Sequence, residues 1–473
     1  MNDKERLDLA EWAINEVLKA GANGTAVEIN SHRRVDVEVR DGKLDRLSET
    51  HSNRLSIDIY LEHRFSSHST SDLRRDALAK FIAEAADSTH YLSKDEFRGL
   101  PDPKYYPEGE LADLAIFDPA YEKVETKHRV DLAREIEAAA RDGSSLGSSG
   151  SMGAGGAGGV GDTVSTDSLG GSGSSGAGRI VSSSGSYSDS YVDVVRVHSN
   201  GFVGGTRSSS FEIEASVTVE DEGGSRPDDY CAAQTRFRMD LPDAGLVGRE
   251  ARERALAKLG QKKIESGRYD CVVENRAVRR LIRILQDPLS GRALQQKSSF
   301  LDGLIGTRIA SRELTIVDDP TLAKGLASRS FDGDGLAARK MPIFENGVLR
   351  NYYIDNYYAR KLGLEPTTAW PSNLVFNLGS KPLEEMIKQM GRGILIQGFI
   401  GGNSNSTTGD FSVGVSGMLI EGGAPVVSIH EMNIAGNARE FFGRLAELGN
   451  DPYLYSSMMS PSLLFQGVQF SGI

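Results

Sequence analysis

Val35-Asp36-Val37-Glu38-Val39-Arg40-Asp41-Gly42 alternates apolar with charged side chains and then breaks at Asp-Gly. Successive side chains on a strand point to opposite faces, so the three valines share one face. Asp-Gly is the dipeptide that a tight hairpin favours. The stretch therefore predicts a half-buried strand entering a hairpin. Leu55, Ile57, Ile59 and Leu61 repeat the alternation and predict a second strand. Upstream, Leu7, Ala10, Ile14, Val17 and Leu18 recur at helical spacing until Gly21 and Gly24 stop them. Downstream, Ser71 or Asp72 is the expected cap of a helix whose apolar face holds Leu73, Ala77, Leu78, Phe81 and Ile82. This first unit, residues 1–105, ends among Pro101, Pro103 and Pro107, where periodicity is lost.

A second unit is expected over residues 118–230. It opens with a helix from Tyr121 to Ala140 and continues as strands through Tyr191–Val195 and Phe211–Val217. Between them, residues 143–178 are almost wholly Gly, Ser and Ala, a composition that buries too little apolar surface to offset its ordering entropy. That stretch reads as a flexible insertion. Gly153, Gly155 and Gly158 within it match GxGxxG, but without a preceding strand and following helix they predict no dinucleotide loop. The third unit, residues 231–473, starts with a helix around Leu246–Leu259 and becomes β-rich. Glu345-Asn346-Gly347 predicts a tight turn, and Tyr352–Leu362 a helix running into Gly363. Strands are expected at 394–399, 413–420, 426–429 and 463–470, and helices at Glu384–Met390 and Glu440–Leu448. The fold class is α+β: an N-terminal helix-strand-helix domain, a central helix plus strands, and a β-rich C-terminal domain.

The 473 residues carry a net charge of −12. Such a balance repels phosphate backbones, so nucleic acid is not an expected partner. Arg276, Arg279, Arg280 and Arg283 lie at the spacing of one helix face and read as a solvated face. Cys231 and Cys271 form no CxxC pair, which suits a reducing compartment. Neither a leader nor an apolar stretch long enough for a membrane is visible, and the expected location is the cytoplasm.

Zinc-assisted peptide hydrolysis needs three ligands, an open coordination position and a general base, which helical His-Glu-x-x-His supplies in part. His430-Glu431 is the sole His-Glu pair, and Ile434 and Ala435 stand where a second histidine belongs. His63 and His68 straddle a strand end and turn. Gly414-Val415-Ser416-Gly417 lacks the last Gly of a nucleophile elbow, Met418 standing there instead. Asp332-Gly333-Asp334-Gly335 lacks the closing Glu of a calcium loop. No self-sufficient catalytic site is legible.

A broader pattern is. Ser328-Arg-Ser-Phe-Asp-Gly-Asp-Gly335, Phe344-Glu-Asn-Gly-Val-Leu349 and Tyr352-Tyr-Ile-Asp-Asn-Tyr-Tyr-Ala-Arg-Lys-Leu-Gly363 follow one another. Gly398-Phe-Ile-Gly-Gly402, Thr408-Gly-Asp-Phe-Ser412, Ile434-Ala-Gly-Asn437, Gly449-Asn-Asp451 and Ser460-Pro-Ser-Leu-Leu464 complete the series, with Gly99-Leu-Pro-Asp-Pro103 and Ser199-Asn-Gly-Phe202 upstream. Together they resemble the TldD/PmbA metallopeptidase family over nearly the whole chain except the Gly/Ser insertion. TldD-like members of that family carry His-Glu-x-x-x-His on a helix and a later cysteine, together holding zinc. The matching stretch here, Leu281-Ile-Arg-Ile-Leu-Gln-Asp-Pro-Leu-Ser-Gly291, has neither histidine nor glutamate; the ligand positions fall near Ile282 and Asp287, and no cysteine follows Cys271. The resemblance is thus to the PmbA (TldE)-like kind, the subunit without the metal motif. It implies no cofactor in this chain, zinc in a TldD-like partner forming a heterodimer, and extended, poorly folded peptides as substrates of proteolysis. Homodimerisation stays open. Gly401, Gly402, Asn403, Thr408, Gly409 and Asp410 are the candidates for lining the peptide cleft. The alternatives are a stand-alone peptide-binding or chaperone-like module and a hydrolase built on His430 and Glu431. The family's association with DNA gyrase reads as indirect, given the acidic balance.

Overall fold

The computed structural model describes residues 2–142 and 178–473; residues 143–177 of the Gly/Ser stretch, with its GxGxxG, lie outside the described residues. The first sheet contains β1 (Gly24–Arg40), β2 (Lys43–Leu61), β3 (Arg64–Thr70), β4 (Arg179–His198), β5 (Val203–Glu220) and β6 (Asp228–Thr235), in the order β3-β2-β1-β4-β5-β6. Every pairing is antiparallel. β1 and β2 meet at Asp41 (φ 48°) and Gly42 (φ 76°), the left-handed pair that a two-residue hairpin needs and that Asp-Gly adopts at low cost. Val35, Val37 and Val39 are buried as the alternation requires.

Four helices cover one face: α1 (Asp3–Lys19), α2 (Arg75–Thr89), α3 (Thr126–Asp142) and α4 (Ala244–Ala257). Leu9, Ala13 and Val17 of α1 and Leu78 and Ile82 of α2 pack on Val27, Ile29, Ile57 and Ile59. Ala133 and Ile136 of α3 and Val247 and Ala251 of α4 pack on Val35, Val37, Phe211 and Ile213. Two apolar clusters thus sit side by side on one sheet. That sheet runs across both seams read in the sequence, residue 105 and residues 230–231, because β1 pairs with β4 and β6 spans 228–235. The first turn of α2 departs from expectation. Its N-cap is Arg74 without a side-chain cap bond, and Asp72 accepts from the Arg74 amide at 3.1 Å, one step ahead of the helix.

His198, at the end of β4, is buried against Tyr106 and Phe202, and its Nδ1 lies 3.0 Å from the Tyr106 hydroxyl. Burial, then the Arg196 charge, pushes its pKa from 6.5 down to about 3. The unfolded chain therefore takes up this proton first as pH falls. Above pH 6.5 His198 costs nothing; from 6.5 down to about 3 it removes about 1.4 kcal/mol of stability per pH unit. In chemical denaturation at stepped pH, His198→Phe is expected to flatten the stability loss over that window.

The C-terminal half holds β7 (Gly267–Val273), α5 (Asn275–Gln286), α6 (Gly291–Gln295), β8 (Ile316–Asp318), β9 (Met341–Glu345), β10 (Val348–Leu349), α7 (Asn356–Leu362), β11 (Leu374–Phe376) and α8 (Leu383–Met390). Then come β12 (Gly393–Ser404), β13 (Asp410–Glu421), β14 (Ala424–Asn437), α9 (Ala438–Gly443), β15 (Leu445–Leu448), β16 (Met458–Met459) and β17 (Leu463–Ser471). One five-stranded sheet runs β10-β9-β8-β11-β16; a six-stranded sheet runs β14-β13-β12-β7-β17-β15, and β14 also pairs with β17. A single large core lies between them, with Val278, Leu281, Ile282 and Leu285 of α5 inside it. Asn346 (φ 49°) and Gly347 (φ 74°) make the β9–β10 turn as expected; a Cβ on Gly347 would meet the Ala310 carbonyl at 2.2 Å. α7 starts later than the periodicity suggested, at Asn356, because Asp355 caps it by accepting from the Tyr358 amide at 2.7 Å. The helix expected at 440–448 is a correction: α9 stops at Gly443, and Leu445–Leu448 becomes β15, which buries Leu445 and Leu448 along the edge of β17.

Candidate functional site: an arginine-lined cleft

α5 is apolar on one side only. Ala277, Val278, Leu281, Ile282, Ile284 and Leu285 face the core, and the remaining surface carries Arg276, Arg279, Arg280 and Arg283 at positions i, i+3, i+4 and i+7. These four arginines line a cleft of about 710 Å³. Its opposite wall is the part of β12 from Gln397 to Ile400, with Tyr230, Ser416 and His430 at its margins. β7 pairs with β12 only at Ile394–Ile396, so beyond Ile396 that edge of β12 has no strand beside it among the described residues.

The frame that aims α5 is ionic. Glu274, just before the helix, is buried and receives both Arg254 guanidinium nitrogens at 2.7 Å. Burial disfavours the Arg254 charge, but Glu274 and then Asp229 hold its pKa well above the ordinary value. Arg276 donates to the Tyr230 carbonyl at 2.7 Å, lies 3.3 Å from Glu250 and stacks over the Tyr230 ring at 5.2 Å. Arg280 donates to the Gly401 and Gly402 carbonyls at 3.0 and 3.2 Å. Arg279 and Arg283 have no carboxylate within ion-pair distance among the described residues. Burial, then the neighbouring Arg283, lowers the Arg279 pKa, as expected of like charges one turn apart.

The residues singled out in the sequence separate. Gly401 and Gly402, both with positive φ, form a bulged segment of β12 tied to Arg280. Gly402 and Asn403 line a different, shallower hollow of about 590 Å³ with Asn433. Thr408, Gly409 and Asp410 make the β12–β13 turn, where Thr408 donates to Asp410 at 2.7 Å and Asn437 donates to both. His430 reaches the arginine cleft, whereas Glu431 (φ 55°) sits on a bulge opposite Ser416 and pairs outward with Lys263 at 3.2 Å. The two are not a catalytic pair in this geometry. The four arginines were legible as one helix face, and Arg279 and Arg283 are exposed as that reading expects; that the face also forms one wall of a cleft was not legible.

Models of the PmbA/TldA metallopeptidase central and C-terminal domains match residues 119–259 and 266–472. A solved structure from Bacteroides thetaiotaomicron VPI-5482, described as a candidate modulator of DNA gyrase, is 38% identical with a TM-score of 0.90, and the match covers 100% of both chains. The chain belongs to the PmbA/TldD metallopeptidase family. The metalloprotease PmbA of Escherichia coli O157:H7 is 27% identical over 97% of this chain and 94% of its own. TldE from Thermococcus kodakarensis has the same fold, with a TM-score of 0.78 at 20% identity over 98% of this chain and 100% of its own.

The family's name implies a metal, and the α5 region does not fit one. The helix offers only Asn, Arg, Gln and aliphatic side chains. Ile282 is buried in the core, and Asp287, at the helix end, is exposed and pairs with Arg292 at 3.3 Å. Cys271 is enclosed in β7 between β12 and β17, its thiol pKa pushed up by burial. Among the described residues no three His, Cys, Asp or Glu side chains are grouped to hold a metal. No helix among them is long and apolar enough to cross a membrane.

Proposed function

We propose that this chain is the noncatalytic, PmbA/TldE-like subunit of a TldD–TldE-type zinc protease acting on small unfolded peptides in the cytoplasm. The observation that carries this reading is the chemistry of α5. Where a TldD-like chain would present zinc ligands, this helix presents guanidinium groups, which repel a divalent cation, and buried aliphatic side chains. The metal, the hydrolytic water and the general base then belong to a TldD-like partner. This chain contributes binding: the free edge of β12 offers main-chain groups to an extended peptide, a mode with little demand on sequence. Gly401 and Gly402 close the far end of that edge, where their carbonyls already accept from Arg280.

The test is reconstitution. Purified alone, the chain is expected to cleave no unfolded peptide; mixed with a TldD-like chain carrying His-Glu-x-x-x-His, it is expected to give cleavage that a zinc chelator abolishes. Chelator-sensitive cleavage by this chain alone overturns the reading. The second reading, a stand-alone peptide-binding module, is favoured by the cleft being complete within one chain. It predicts peptide binding with no cleavage whether or not a TldD-like chain is added.

A further inference from the structure

We infer that the arginine cleft selects extended peptides carrying acidic residues at alternate positions, with Arg279 and Arg283 as the carboxylate contacts. The inference rests on the peptide-binding reading above and names its substrate class. In a protein of net charge −12, like charges gathered on one wall are a local exception to the overall balance. Arg276 and Arg280 are held by Glu250 and by the β12 bulge, whereas Arg279 and Arg283 carry uncompensated charge. No acid nearby pairs with either arginine among the described residues: Asp228 is exposed in the same cleft but lies outside ion-pair range of both. Asp229 is already taken by Lys258 at 3.2 Å and Arg254 at 3.6 Å. Glu212 and Glu214 share an adjoining hollow of about 430 Å³ with Arg279, outside ion-pair range.

Geometry selects the spacing. Four residues of helix separate Arg279 from Arg283, a rise of about 6 Å. Side chains two apart on one face of an extended peptide are separated by about 6.8 Å. A strand laid along β12 at Gln397–Ile400, between the Ile396 carbonyl held by Glu274 and the Gly401 and Gly402 carbonyls held by Arg280, would thus set carboxylates at i and i+2 opposite the two guanidinium groups while its backbone bonds to that segment. A nucleic acid would meet the same arginines but would leave the strand-edge groups without partners, and it faces the repulsion of the chain as a whole.

The experiment uses the full chain alone and fluorescence anisotropy with three labelled peptides: one with Glu at every second position, its Gln counterpart, and one with the same number of Glu residues in a continuous block. The alternating peptide is expected to bind about ten-fold more tightly than the Gln peptide and more tightly than the block. In R279Q/R283Q, checked for folding by its thermal midpoint, the preference for Glu over Gln should vanish, and R279K/R283K should restore part of it. Equal binding of Glu and Gln peptides overturns the inference, as does a preference that survives in R279Q/R283Q. Displacement by inorganic phosphate or oligothymidylate as effective as by the peptide itself also overturns it, by showing a general anion site. Loss of the preference alongside intact two-chain cleavage removes only this inference; a preserved preference without two-chain cleavage removes the protease reading and leaves the site.

Discussion

Asp189→Ala is expected to lower the unfolding free energy by about 3–5 kcal/mol, because it strands a buried guanidinium. Arg129 of α3 and Asp189 of β4 meet at 2.6 Å, with 2% and 0% of their side chains exposed. Arg129 also donates to the Val124 carbonyl at 2.7 Å, closing the turn that leads into α3. The hydroxyls of Tyr121 and Tyr187 crowd the same carboxylate: burial, and then the Asp189 charge, raises both of their pKa values. A pair this enclosed gains Coulomb energy but pays two desolvation penalties, so its net contribution is small while the loss of either partner alone is costly. Urea denaturation of D189A, R129M and R129M/D189L separates these terms. The double variant, with an apolar pair in place of the ions, should lie nearer the parent than either single variant does.

Glu274→Ala is expected to cost about 3 kcal/mol, the lower end of the range for a broken buried pair. Arg254 keeps Asp229 at 3.6 Å and Glu250 at 4.0 Å, so its charge is only partly abandoned. The effect should reach the cleft as well, since the Glu274 carboxylate ties the junction of β7 and α5 to α4, while its backbone N–H, which donates to the Ile396 carbonyl at 2.9 Å, is kept in the variant. A double-mutant cycle with Arg254→Met, read by denaturation, should give a coupling energy of about 2–3 kcal/mol. Additive single effects would remove the ionic clamp from the account of how α5 is aimed.

The elements read best from the sequence are those whose physics is local. The β1–β2 hairpin follows from valine alternation and Asp-Gly, and the β9–β10 turn from Asn-Gly, because left-handed backbone is a property of those residues. Strand partnership is not local. Alternation fixes which face of β1 is buried but does not reveal that Ala26 pairs with His198, across a stretch that the residue pattern divides at 105. β15 differs from the helix expected at 440–448 for a related reason: Leu445 and Leu448 suit one face of a helix as well as a strand edge, and only the proximity of β17 decides. The family, by contrast, was legible from its linear motifs. In the site, the arginine spacing was visible while its surroundings were not, since Arg280 and the Gly401 carbonyl that it binds are 121 positions apart. Thr408, Gly409 and Asp410 read in the sequence as candidates for lining the peptide cleft; in the structure Thr408 and Asp410 bond to each other and to Asn437 and hold the β12–β13 turn.

The reading of α5 as a helix without metal ligands is tested most directly by the zinc content of this chain, purified without its partner and dialysed against buffer free of chelator. Substoichiometric zinc is expected, with no rise after incubation with excess zinc and a second dialysis. One tightly held zinc ion per chain, retained through that dialysis and lost on substitution of the chain's own histidine or carboxylate side chains, would contradict it.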